Sequence, residues 1–190
     1  MKKVKLLVAL GVCGLVLGAC SSEEATAPEK ESTSQVAVST EESSVVESEA
    51  SNAGSTFKDN ELVTPDMKIK ITETKIIPVG EAGNEYGEKP VIAFWYETTN
   101  LSDEELDPSS AWIFAFRAFQ DNNADSMNEL NTASLPDDTF LDSQMEIIKK
   151  DGTVSNAVAY ELDDDVTPVT LTAEDMITGE EMGTINFEVK

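Results

Sequence analysis

Apolar residues in the C-terminal two-thirds of the chain fall into short runs separated by polar turns. Residues 67–71 alternate apolar and basic side chains, which is typical of a strand with one face in solvent. Residues 91–99 and 111–120 are apolar and aromatic on both faces, and they hold seven of the 12 aromatic residues. We therefore expect both runs to be central strands covered on both sides.

The same pattern continues toward the C-terminus. Residues 145–148 and 154–162 are predicted to form a hairpin, because Asp151-Gly152 between them can supply the positive φ that tight turns need. Strands over 166–172 and 184–189 complete the set. About seven short strands without a long helical period predict an all-β fold, an immunoglobulin-like antiparallel β-sandwich, with a β-barrel as the alternative.

The N-terminus has a different pattern. Three lysines within the first five residues precede an apolar run over residues 6–17, which is too short to span a bilayer but typical of a signal peptide. The run ends in Leu17-Gly18-Ala19-Cys20, the small-residue box that precedes a lipidated cysteine in bacterial precursors. We predict a signal peptide over 1–19, cleavage between Ala19 and Cys20, and lipidation of Cys20, which would anchor the mature chain to the membrane.

A low-complexity segment follows the predicted cleavage site. Residues 21–56 contain ten Ser, four Thr and eight Glu, and every aromatic residue of the chain lies from Phe57 onward. Such a composition buries too little apolar surface to offset the entropy of ordering. We expect residues 20–56 to be a disordered, lipidated tether and residues 57–190 to be a single folded domain.

Composition excludes several classes of chemistry. The chain has no histidine, and Cys20 is the only cysteine outside the predicted signal peptide. Ser-His-Asp and Cys-His catalysis are therefore excluded within this chain, as are zinc sites built from His or Cys. After cleavage, ten basic and 37 acidic residues give a formal charge of −27, which argues against binding to nucleic acid. No cofactor is indicated.

Four short motifs occur in a characteristic order. An aromatic strand ends in the Asn-x-Ser turn of residues 96–102, a second ends in Phe119-Gln120-Asp121, and Tyr160-Glu161-Leu162 leads into Pro168-Val169. In this order the chain resembles a family of Gram-positive surface lipoproteins with a C-terminal domain of unknown function. The resemblance covers about residues 65–190 and implies an immunoglobulin-like sandwich, akin to a secreted immunoprotective antigen fold. It implies no activity.

The chain departs from the pattern of that family at two places. Asn122 stands where a glycine usually follows Gln-Asp, and Lys150-Asp151-Gly152 stands where a Pro-Gly usually precedes the later strand.

Asp121, Asn123 and Asp125 place oxygen side chains at alternate positions, like the start of a calcium-binding loop. The sixth position is Ser126 instead of glycine and the twelfth is Thr132 instead of glutamate, so a solvated turn is the favoured interpretation. These three residues are therefore the candidates for a metal site that the sequence does not otherwise predict.

Arg117 is the only arginine and lies within an aromatic run. It could offer a bidentate fork to a carboxylate ligand. The preferred interpretation is that it lays its stem along the core and pairs with a nearby acid.

These features predict a non-enzymatic lipoprotein on the extracellular face of the cell membrane. Its domain would bind an envelope or host protein or a glycan, while the oligomeric state is left open. The first alternative is a calcium-dependent envelope factor, and a more distant one is a carboxylate-based glycan hydrolase.

Overall fold

The strands and helices of the C-terminal domain are defined by a computed structural model, which describes residues 54–190. The strands are β1 (Thr56–Lys58), β2 (Glu61–Val63), β3 (Met67–Ile77), β4 (Val91–Asn100), β5 (Phe116–Phe119), β6 (Thr153–Glu161), β7 (Val169–Glu174) and β8 (Glu181–Phe187). One helix, α1 (Pro108–Ala115), precedes β5, and a 3-10 turn spans Asp138–Phe140. No helix in this part of the chain is both long and apolar enough to cross a membrane.

The strands form two antiparallel sheets. The first has the order β1-β2-β3-β4-β6 and the second the order β5-β7-β8. The predicted β-sandwich is confirmed. β1 and β2 extend the first sheet as a hairpin.

An aromatic cluster fills the space between the sheets. The Trp112 ring lies 4.4 Å from Tyr96, 4.5 Å from Phe116 and 5.6 Å from Phe94, and Phe94 also contacts Phe187 of the second sheet. These rings join both sheets and α1 into one core. Residues 91–96 of β4 contribute to the core on both faces, so the prediction that this strand is covered on both sides is confirmed there, whereas Glu97 is exposed.

The run 111–120 is not a single strand, contrary to the sequence prediction. Its first half belongs to α1, and only Phe116–Phe119 forms β5. The Asp107 side chain caps the helix by accepting a hydrogen bond from the Ser110 N–H at 2.9 Å, and Pro108 occupies the first turn, where its missing donor is tolerated. Residues 111–116 are all apolar, so their periodicity did not distinguish a helix from a strand.

The hairpins also differ from the sequence prediction. Residues 145–148 are irregular instead of a strand, although Asp151 does adopt a positive φ of 62°. The β1–β2 hairpin was not predicted, and it turns through Asp59 and Asn60, which both have positive φ. Asp and Asn tolerate this conformation better than other non-glycine residues.

Candidate functional site

A groove with a volume of about 730 Å³ lies at one end of the sandwich. Met67 and Asn100 are paired at this end of the first sheet, and the β7–β8 turn closes the same end of the second. The walls come from the β2–β3 loop, the loop before α1, one side of α1 and the β7–β8 turn. Ser55 also lines the groove, so the chain enters the domain at this end.

The groove is lined mainly by apolar side chains. Met67, Leu106 and Met182 are half-buried and pack against the main core, and they form the floor of the groove. Phe114, Met176 and Ile177 stand around it with exposed fractions of 56%, 62% and 93%. Large apolar side chains gathered at one exposed place typically mark an interaction surface.

Local hydrogen bonds set the walls of the groove. The Asp175 carboxylate accepts from the N–H groups of Ile177 and Thr178, which fixes the turn that presents Met176 and Ile177. Gly179 completes this turn with a φ of 70°, a conformation that glycine adopts without strain. The wall is therefore a structured turn.

The Asn100 side chain shapes the opposite wall. Its amide donates to the carbonyl oxygens of Glu104 and Ile148, and its carbonyl oxygen accepts from Ser102 N–H and Oγ. All four hydrogen-bonding positions of this buried side chain are thus used. The Asn-x-Ser motif therefore has a structural role, to hold the loop that leads into α1.

Carboxylates surround the apolar floor. Five acidic residues line the groove, and none of the lining residues among 54–190 is Lys or Arg; the acids are Asp66, Glu104, Glu105, Glu174 and Asp175. Glu174 lies 3.9 Å from the guanidinium group of Arg117, which does not itself line the groove. Residues 54–190 carry nine basic and 29 acidic side chains, so the wider surface is also negative.

A smaller cavity of about 280 Å³ lies on the other side of α1, beside Ile113, Leu141 and Met145. Two tyrosine hydroxyls hold the helix in place there: Tyr96 donates to the Pro108 carbonyl, and Tyr160 accepts from Trp112 Nε1 at 2.8 Å. Burial raises the pKa of Tyr96 far above its ordinary value and that of Tyr160 to about 12. Both hydroxyls are therefore protonated at neutral pH and serve to position α1.

Arg117 does not line the groove. It is exposed on the outer face of β5, with Nε 3.3 Å from Glu129 and Nη1 3.9 Å from Glu174. Its pairing with nearby acids agrees with the preferred interpretation of the sequence, although its stem does not lie in the core.

Asp121, Asn123 and Asp125 lie in an exposed turn. Asn123 Oδ1 accepts from the Asp125 N–H, and its amide donates to Ser126 Oγ, which is a solvated Asx turn. No group of three or more His, Cys, Asp or Glu side chains within residues 54–190 is arranged to hold a metal. The described part of the chain therefore gives no support to the calcium alternative.

Gln120, in the middle of the Phe-Gln-Asp motif, is a second buried side chain that, like Asn100, holds a loop through its amide group. Its carbonyl oxygen accepts from the N–H groups of Asp163 and Asp164, and its amide donates to the carbonyl oxygens of Asp164 and Thr167. It thereby fixes the β6–β7 loop against the end of β5. The motifs that carried the resemblance are thus mainly structural residues.

Cys20, Ala19, the signal peptide and the tether up to residue 53 lie outside the described residues.

Sequence reasoning missed the groove. Two signals could have indicated it: the Asp107-Pro108 helix start, and an apolar pair, Met176-Ile177, between Asp175 and Gly179 in an otherwise polar turn. Met67, Leu106 and Met182 gave no such signal, since their meeting depends on how the two sheets close.

Comparison with known proteins gives a fold and a family. No curated protein matches the chain. A solved structure of a provisionally assigned lipoprotein from Staphylococcus aureus subsp. aureus NCTC 8325 is 24% identical, with a TM-score of 0.61, over 71% of this chain and 92% of that one. At this identity the likeness shows a shared fold. The family described as "Domain of unknown function (DUF5067)" matches residues 42–175, so this chain belongs to the DUF5067 family.

Proposed function

We propose that this protein is a lipid-anchored lipoprotein of the bacterial cell surface whose sandwich domain binds a partner without catalysis. The observation that carries the binding role is the groove, which gathers exposed apolar side chains at one end of an otherwise strongly acidic domain.

The anchoring part of the proposal is supported by the N-terminal sequence. A basic start, a short apolar run and Leu17-Gly18-Ala19-Cys20 are the features that lipoprotein processing requires. The protein of similar structure from S. aureus is itself provisionally assigned as a lipoprotein, which agrees with this proposal. Ser55 lies at the groove, so the chain that leads back to Cys20 joins the domain at its binding end.

None of the three hydroxyl groups that line the groove is hydrogen-bonded to a general base, and Ser55 Oγ is buried without a hydrogen-bond partner among the described residues. Ser102 Oγ donates to the Asn100 amide oxygen, and Thr64 Oγ1 donates to the Met67 carbonyl. A serine or threonine nucleophile needs a general base as its hydrogen-bond acceptor. Neither acceptor here can take a proton, so these hydroxyls position the backbone.

The carboxylates of the groove argue against glycan hydrolysis. Asp66, Glu104 and Glu105 are exposed to solvent, and Glu174 and Asp175 are half-buried. A general acid in a glycosidase needs an apolar pocket that keeps it protonated near neutral pH. A ring of solvated carboxylates is better suited to attract a cationic partner.

The proposal is tested on intact bacteria that produce the protein. Mass spectrometry of the purified mature chain should show a diacylglyceryl group on Cys20, and external protease should degrade the domain without lysis. Cys20→Ser should release the domain from the membrane fraction. An unacylated chain retained in the cytosol would overturn the proposal.

A further inference from the structure

We propose that the groove binds a basic amphipathic peptide segment, one that places apolar side chains on the floor and lysine or arginine side chains against the carboxylates around it. This inference rests on the proposed binding function and names the class of partner.

The apolar part of the groove sets the first requirement. Its volume of about 730 Å³ lies within the range of about 300–1,000 Å³ that ligand pockets occupy. Phe114 stands on its wall and is more than half exposed, so a ligand side chain could cover it. Aromatic anchors of this kind contribute strongly once they are desolvated.

Three methionines line the groove. Met67 and Met182 lie on the floor and Met176 on the wall, close to the branched side chain of Ile177. Methionine is unbranched and polarizable, so a methionine-rich surface can adapt to different apolar side chains. This favours recognition of an amphipathic pattern over recognition of one fixed shape.

The negative charge of the groove limits which apolar partners can bind. Acidic side chains line the groove without a basic one among the described lining residues, and residues 54–190 carry a formal charge of −20. Anionic headgroups and nucleic acids would be repelled. A second copy of this chain would bring a further −20 to the same face, so self-association is disfavoured. A peptide with cationic side chains complements both the charge and the apolar surface.

The test uses the mature chain, residues 20–190, with Cys20→Ser so that neither lipid nor detergent competes for the groove. The probe is a fluorescein-labelled 14-residue peptide of leucine and lysine at helical spacing, and fluorescence anisotropy measures its binding. Two matched peptides replace every leucine by serine or every lysine by glutamate. We expect saturable binding of the first peptide alone, with affinity that falls as salt is raised.

Variants locate the binding. Phe114→Ser with Ile177→Ser should weaken binding by at least about tenfold, equivalent to about 1.4 kcal/mol. Ile113→Ser is the control, since Ile113 is equally exposed on the same helix but lines the smaller cavity. Glu104→Gln with Glu105→Gln should weaken binding at low salt, whereas Glu85→Gln with Glu88→Gln, in the β3–β4 loop at the opposite end, should leave it unchanged.

Several results would overturn the proposal. If the serine peptide bound equally well, the interaction would be an unspecific attraction between charges. If the glutamate peptide bound equally well, the carboxylates of the groove would have no role in binding. Dimerisation in sedimentation that is lost with Phe114→Ser would assign the groove to a second copy. Melting curves show that each variant is folded. If the chain is acylated and surface-exposed but does not bind the peptide, this inference alone is wrong. The anchoring experiment measures only the acylation of Cys20, so its result is independent of the groove.

Discussion

Two buried side-chain amides, Asn100 and Gln120, each hold one loop of this domain. Each uses both its donors and its acceptor, Asn100 on the loop before α1 and Gln120 on the loop between β6 and β7. A buried backbone group without a partner costs free energy, so one amide that satisfies several such groups stabilises an entire loop. These residues explain why an irregular connection can keep a single conformation.

Gln120→Ala removes four hydrogen bonds from the β6–β7 loop. We expect it to lower the free energy of unfolding by about 3 kcal/mol or more, because two N–H groups and two carbonyls lose their partner. Urea unfolding of the mature chain measures the change. Asn123→Ala, in an exposed turn, is the control and should alter stability by less than about 1 kcal/mol. Equal effects of the two substitutions would contradict the claim that Gln120 stabilises the β6–β7 loop.

Asp164 makes the same loop sensitive to acid. Its pKa is held well below the ordinary value, first because its carboxylate accepts from the Thr167 N–H, then because of the Asn122 amide and the Val166 N–H. A depressed folded-state pKa stabilises the fold above the unfolded value of about 4. This contribution is lost as the pH falls from about 4 toward the lower pKa of the folded state.

Asp164→Asn should therefore lower the melting temperature at pH 7 and flatten its decline below about pH 4. Melting curves between pH 7 and pH 2 measure both effects. Asp165→Asn, at the exposed neighbouring position, should retain the wild-type decline. A decline in Asp164→Asn as steep as in the wild type would assign the acid sensitivity to other groups.

At the scale of elements, α1 determines the binding end of the sandwich. It buries Trp112 against Tyr96 and Phe116 while it exposes Ile113 and Phe114 to the two depressions beside it. A strand at this position would have placed these side chains on alternate faces of the sheet. The groove therefore depends on the helical start of the run.

The sequence predicted the sandwich because alternation and turn residues are local signals. It failed at residues 111–115, where an unbroken apolar run fits a buried strand or a helix equally well, and the deciding signal was the Asp107-Pro108 pair before it. It failed at the groove for a different reason. Met67 and Met182 are more than 100 residues apart, and only the closure of the two sheets brings them together.

Asp107→Ala tests the helix start. We expect a loss of about 1 kcal/mol in the free energy of unfolding, since the Ser110 N–H loses its capping acceptor. Chemical denaturation measures the loss. Asp103→Ala is the control, because its ion pair with Lys150 is exposed and such pairs contribute less than about 1 kcal/mol. No loss in Asp107→Ala would show that packing of Trp112 alone forms the helix.

At the scale of the whole molecule, the two ends of the sandwich differ. One end carries the apolar groove with its carboxylates and receives the chain at Ser55. The other carries the loop between β3 and β4, whose Tyr86 side chain is 98% exposed and whose Asn84 amide donates to the carbonyls of Ile77 and Lys89. This asymmetry makes the central claim testable, because two exposed aromatic positions mark the two ends.

The most direct measurement is photo-cross-linking on intact bacteria, with benzoylphenylalanine placed either at position 114 or at position 86. The account predicts a discrete protein adduct from Phe114→benzoylphenylalanine that an excess of the leucine-lysine peptide abolishes, and no such adduct from Tyr86→benzoylphenylalanine. No adduct at position 114, or the same adduct at both positions, would contradict a surface domain that binds its partner through the groove.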